Sequence, residues 1–373
     1  MSAAASIAAV LVKHAMIEID PPVLQPAGLY LELAGENLRK RAFLIDDPSG
    51  EELCLRPDMT VPACRAAIAL PNNSAFAVRY QGLVFRRQSA LTAGAAEFLQ
   101  GGAEWFAPAA DMERQEPAIL AAALEACRAA GVEPSLRIGN VGLFAALARS
   151  VGLDPVWSER LVRAFSRAGG PAGVMAEASA PETPPSALAE ALAALPAERA
   201  GAALAEMLDI AGVAPVGGRS VDDIAARLRE QGARAGAVRP TEAQFAPIRT
   251  ALTINETPDA AFGALTGLTK SGAVFGEALE RFRAFWAETI KLAKAPADTR
   301  FVFGLGRGIS YYDGLVFELE APALGPRASL GGGGRYDGLL RALAAREANA
   351  GRFAVWAAAG FALRPKRLED AAK

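Results

Sequence analysis

The sequence predicts an α+β fold interrupted by a helical insertion, and three observations carry that prediction. Strand-like alternation punctuated by turn residues recurs near the start, as in RAFLIDDPSGEELCLRPDMT, and again near the end, as in YYDGLVFELEAP. Between about 155 and 255 the alternation stops, and alanine-rich helical segments are separated by PAGG, APETPPS and APVGGRS. Strands on both sides of a helical middle imply one core with an insert. Residues 1–150 and 256–373 are assigned to the core and 151–255 to an inserted helical domain.

The elements follow in order. The opening MSAAASIAAVLVKHAM lacks a basic leader, and Lys13 and His14 break its apolar run, so it reads as a helix and not a signal peptide. The prolines of IEIDPPVLQPAG suit an extended segment. A strand, a DDPSG turn and a second strand ending near Arg56 make a hairpin. TVPACRAAIAL reads as a helix with Thr60 as its N-cap. The strand AFAVRYQGLVF leads into a second hairpin, and DMERQEPAILAAALEACRAAG is a helix closed by Gly131. SLRIGNV is a strand and GLFAALARSVGL a helix. In the insert, Ser220 with Asp222 and Asp223 forms a capable helix start. Leu279, Phe282, Phe285, Trp286 and Ile290 then recur at helical spacing, with the aromatic residues expected in the core. Strand patterns return in RFVFGLGRGI, RASLGGGGRYDGLL and AVWAAAGFALRP.

Composition excludes several function classes. No stretch approaches the roughly 20 apolar residues of a membrane-spanning helix. A net charge of −2 gives no electrostatic footprint for nucleic acid. One histidine and three cysteines without a CxxC pair argue against a metal site and for reduced thiols in a cytoplasmic protein. No cofactor is implied.

The second hairpin, FRRQSALTAGAAEFLQGGAEWF, raises a sharper question. On a strand alternate residues share a face, so Phe98, Gln100, Gly102 and Glu104 lie together, and Arg86 on the partner strand projects over them. Low glycines and converging polar groups suit a cavity for a small zwitterion. The residues from Gln88 to Ala96, by contrast, carry no ionisable group. Asp58, with Thr60 two residues on, is a further candidate acid after a strand. GLGRGISYYDG is not a dinucleotide fingerprint: Ile309 stands at the third glycine position, and a strand follows where a helix is required. There Arg307 offers a planar donor beside the hydroxyls of Tyr311 and Tyr312. GGGGRYDGL lacks the Lys-Ser/Thr ending of a phosphate loop; its glycines suit close passage beneath a ligand or another backbone, with Tyr336 inward.

The ordered set LRPDMT, YQGLVFRRQ, EFLQGGAEWF, DMERQEPAIL, GRGISYYDGLVFE, GGGGRYDGL and GFALRPKRL resembles histidyl-tRNA synthetase and its paralogues. The resemblance implies a class II aminoacyl-tRNA-synthetase-like antiparallel sheet flanked by helices. It also implies a histidine-like pocket of Asp58, Thr60, Arg86, Gln100, Glu104, Arg307, Tyr311 and Tyr312, with Tyr336 in the second histidine-specific motif.

Departures from the family pattern bear on function. The family's glutamates are replaced by Asp58 and Gln88, and its ATP-holding loop arginines by SALTAGAA. Arg367 matches, but Arg364 and Lys366 replace a glycine and a glutamate, and Ser310 an aspartate. Adenylate formation builds negative charge that needs cations nearby, so a cradle for the amino acid is expected without a grip on triphosphate. Lys373 follows the last motif by only a few residues, so an anticodon-binding domain is not expected. A paralogous family with this pattern is the regulatory subunit of ATP phosphoribosyltransferase. That resemblance implies a non-catalytic protein joining a short catalytic subunit in a hetero-octamer, self-associating as a dimer, with histidine as effector in the first step of histidine biosynthesis. Two alternatives stay open at this level: an amino-acid adenylating enzyme without tRNA recognition, and a scaffold with a vestigial pocket.

Overall fold

The computed structural model describes the chain except for residues 1, 15, 34–40, 49, 51, 88–95, 168–169, 182–183, 214–219, 234–236, 307–310, 326–327 and 348. The uncharged hairpin tip and Arg307 with Ser310 lie outside the described residues, apart from Ala96 at the tip's end.

A mixed sheet forms the core. Its strands are β1 (Ile17–Glu18), β5 (Phe76–Phe85), β6 (Glu97–Pro108), β7 (Ser135–Asn140), β8 (Asn255–Glu256), β9 (Thr299–Val302), β10 (Leu315–Glu320), β11 (Ser329–Arg335) and β12 (Trp356–Leu363). They run in the order β1-β5-β6-β12-β11-β10-β7-β9-β8. The central run from β5 to β7 is antiparallel throughout, as the family resemblance implies, whereas β1 joins β5 and β9 joins β7 in parallel. A smaller sheet pairs β2 (Leu24–Pro26), β4 (Glu52–Leu55) and β3 (Phe43–Asp46) in that order.

Helices cover the sheet because each strand leaves an apolar face to bury. The helix Ala3–Lys13, capped by the Ser2 hydroxyl, packs on β5, β6 and the helix Ala109–Ala129. Its Ile7 side chain reaches 3.4 Å from where a Cβ on Gly101 would stand, which marks the odd-numbered face of β6 as covered. The even-numbered face is left to the site. The helix Thr60–Ala69 forms as expected, but Met59, not Thr60, takes the cap position. The capping acceptor is instead Asp58, whose Oδ1 takes the Val61 N–H at 3.3 Å. In the helix Ala273–Leu292, Leu279, Phe282, Phe285 and Trp286 are buried; Ile290 falls on the solvent side at 47% exposure.

Every described element between residues 155 and 252 is a helix. Trp157, Phe165 and Phe245 of this stretch join the main core, while Leu192, Ala200, Leu204 and Ala225 close a small core of their own. Cys54, Cys64 and Cys127 are buried free thiols. Among the described residues no helix is long and apolar enough to cross a membrane.

Candidate functional site

The even face of β6 meets the turn after β4, the segment after β9 and the end of β12. One cavity there is lined by Asp58, Thr60, Arg86, Gln100, Tyr311, Tyr312, Gly331, Phe361 and Arg364. Six of the nine residues expected for the pocket therefore converge, although they come from separate parts of the sequence.

Each is held by its neighbours. Gln100 Oε1 accepts the Met59 N–H at 3.2 Å, tying the strand to the start of the helix Thr60–Ala69. Arg86 Nε donates to Pro57 O at 2.6 Å, and its guanidinium lies 5.4 Å from the centre of the Phe98 ring. Tyr311 donates its hydroxyl to Asp58 Oδ2 at 3.4 Å. Asp58 is only 3% exposed, and its carboxyl is pushed above the usual range by that burial, with Arg86 pulling it back. The rings of Tyr311 and Tyr312 are 4.9 Å apart and both approach Tyr336 edge-on, at 5.8 and 6.4 Å.

Glu104 and Tyr336 sit one layer deeper, outside the lining of this cavity. Tyr80 donates to Glu104 Oε1 at 2.8 Å, and Tyr336 donates to Oε2. Burial pushes the Glu104 carboxyl up to about 7, against the pull of the Tyr336, Tyr80 and Thr60 hydroxyls. Gly360 makes this arrangement possible: a Cβ there would stand 1.7 Å from Glu104 Oε2. The tetraglycine stretch does pass closely beneath another backbone, since a Cβ on Gly333 would lie 2.0 Å from Gly360 O.

Two members of the site escape the sequence reading. Tyr80 faces Gly102 across the ladder, and strand alternation from Gly82 and Val84 would have placed it on the site face. The second is a charged layer behind the tyrosines. Asp313 accepts the N–H groups of Asp337 and Gly338, at 3.1 and 2.7 Å, and Arg335 Nε donates to Asp337 Oδ2 at 2.9 Å. Arg335 also pairs with Glu116 at 3.6 Å, and these groups line a groove of about 860 Å³. Burial pushes Glu116 up to about 7 and Asp313 to about 6. Because Asp313 follows Tyr312 and Asp337 follows Tyr336, this layer braces the pocket wall from behind.

The cavity itself encloses about 30 Å³, far below the roughly 300 Å³ at which small-molecule pockets begin. The Arg364 guanidinium narrows it, lying 4.6 Å from the centre of the Phe98 ring.

Comparison with known proteins agrees with this architecture. A family model described as histidyl-tRNA synthetase matches residues 3–234 and 226–368. The ATP phosphoribosyltransferase regulatory subunit of Brucella anthropi is 36% identical over 346 residues, covering 91% of this chain and 90% of that protein. The chain belongs to the histidyl-tRNA synthetase family, in the branch of the ATP phosphoribosyltransferase regulatory subunits. The regulatory subunit of Brucella abortus is 35% identical over 350 residues, with the same coverage. Among solved structures, the ATP phosphoribosyltransferase regulatory subunit/histidyl-tRNA synthetase of Bacillus halodurans superposes with a TM-score of 0.61 at 20% identity, over 100% of this chain and 78% of that one. A histidine–tRNA ligase subunit of Alicyclobacillus acidocaldarius gives 0.55 at 21% identity, over 99% and 91%. These likenesses show the class II fold.

Proposed function

We propose that this chain is a non-catalytic regulatory subunit that activates a short ATP phosphoribosyltransferase catalytic subunit and lets histidine restrain it. The observation that carries the reading is an Arg364 guanidinium seated beside a cluster of polar groups, on the side where the resemblance would put the nucleotide. Asp58, Gln100 and Tyr311 remain together, while Arg364 lies on Phe98 at the position where the resembling synthetases have glycine. An ammonium group pairs with a buried carboxylate and a carboxylate with a guanidinium, so an acid and two arginines on one cavity favour a zwitterion.

In this reading the partner is the catalytic subunit, met in the cytoplasm within a hetero-octamer built on dimers of this chain. The names of the Brucella relatives support the partnership. Residues 151–255 are taken as the inserted domain, supported by the small core around Leu204. Feedback requires histidine to bind the active and inactive arrangements unequally, with couplings of about 1–3 kcal/mol in typical systems.

The test is reconstitution. The purified chain, mixed with a short phosphoribosyltransferase from the same source, raises its turnover, and histidine lowers it again. Unchanged turnover on mixing refutes the subunit role. Amino-acid-stimulated exchange between ATP and pyrophosphate by the chain alone makes it an adenylating enzyme instead.

A further inference from the structure

Arg364 stands where β12 passes into the helix Pro365–Ala371. Its own N–H donates to Leu330 O at 2.8 Å, so the backbone is pinned to β11 and any change of position falls to the side chain. The guanidinium rests on the Phe98 ring and lines the cavity that Asp58 enters from the opposite end of the sequence. One carboxylate and two guanidiniums, those of Arg86 and Arg364, thus face one small space; Arg86 has its Nε committed to Pro57 O, and Gln100 has its carbonyl oxygen engaged by Met59.

We propose that Arg364 fixes the free carboxylate of the bound amino acid and thereby restricts the site to unactivated α-amino acids. This rests on the amino-acid reading of the cavity. The planar guanidinium fork matches a carboxylate with two parallel hydrogen bonds, and the ring beneath holds it in register. An esterified or adenylated carboxyl offers no such two-oxygen acceptor and adds bulk where the guanidinium lies. With about 30 Å³ available, entry requires this side chain to swing, and the incoming carboxylate is the group it swings towards. The residue that narrows the nucleotide side is the same residue that grips the ligand.

Titration calorimetry on the full chain, alone and with the short phosphoribosyltransferase, compares L-histidine, L-histidine methyl ester and histamine. Histidine is expected to bind about tenfold or more tightly than either analogue, the usual scale for a charge-assisted hydrogen bond. Arg364→Gln is expected to erase that preference by weakening histidine alone. Equal binding of histidine and its methyl ester by the unmodified chain overturns the role of Arg364 without needing a variant. An Arg364→Gln chain that keeps the preference overturns it as well. In both cases the amino-acid reading stands. Failure of all three ligands to bind, in either setting, overturns that reading and the Arg364 role together.

Discussion

Replacing Glu104 by glutamine should remove a pH dependence of stability that the wild-type chain carries. Glu104 is 1% exposed, and its carboxyl titrates at about 7 in the folded chain against 4.5 when exposed. Between those values the folded state holds a proton that the unfolded state has released. Stability therefore declines as pH rises from about 4.5 to about 7, and levels off above. At roughly 1.4 kcal/mol per pH unit, the shift is worth about 3 kcal/mol over the full window. Glutamine keeps the size and one acceptor for the tyrosine hydroxyls but cannot ionise. Glu116 and Asp313 slope the background the same way, so the readout is the difference between the two proteins. Urea midpoints followed by circular dichroism from about pH 5 to about pH 8 should show the variant gaining roughly 2–3 kcal/mol on the wild type across that span. Parallel curves would refute the claim that Glu104 is held as a buried acid rather than a solvated one.

Three further outcomes are expected. Gly360→Ala should cost about 3 kcal/mol, the upper end for overpacking, because the new methyl would stand 1.7 Å from Glu104 Oε2 and 2.4 Å from Ala103 O; thermal unfolding checks it. Asp58→Asn keeps an acceptor for Val61 N–H and should leave the fold intact while weakening histidine about tenfold or more, read by calorimetry. Leu204→Ala should loosen the small core by about 2–5 kcal/mol, seen as faster hydrogen exchange near Leu192 and Ala225, with histidine affinity unchanged.

Period and punctuation make most elements legible, since alternation and turn residues are local signals. Gln100 and Tyr311 can be nominated because strand parity and the ordered motifs put them on one wall. Strand order cannot be read, because Trp356 pairs with Pro108 and Leu315 with Asn140 across long stretches of chain. Thr60 fails as the cap for a related reason: its hydroxyl is engaged by Glu104, a partner distant in sequence, and Asp58, three residues before Val61, takes that N–H instead. Ile290 shows a helical period running past the end of the surface that can bury it. Tyr80 escapes notice because a tyrosine in an apolar strand looks like filling until its hydroxyl partner is known.

The position of β12 has a consequence for biosynthesis. Among the described residues it alone joins β6 to β11, so the two halves of the sheet share no direct ladder there until residues 356–363 have left the ribosome. Every earlier nascent intermediate exposes two raw strand edges. The same strand brings Gly360, Phe361 and, just beyond it, Arg364 to the cavity. A chain truncated before β12 therefore leaves both edges unsealed and the cavity without one of its walls.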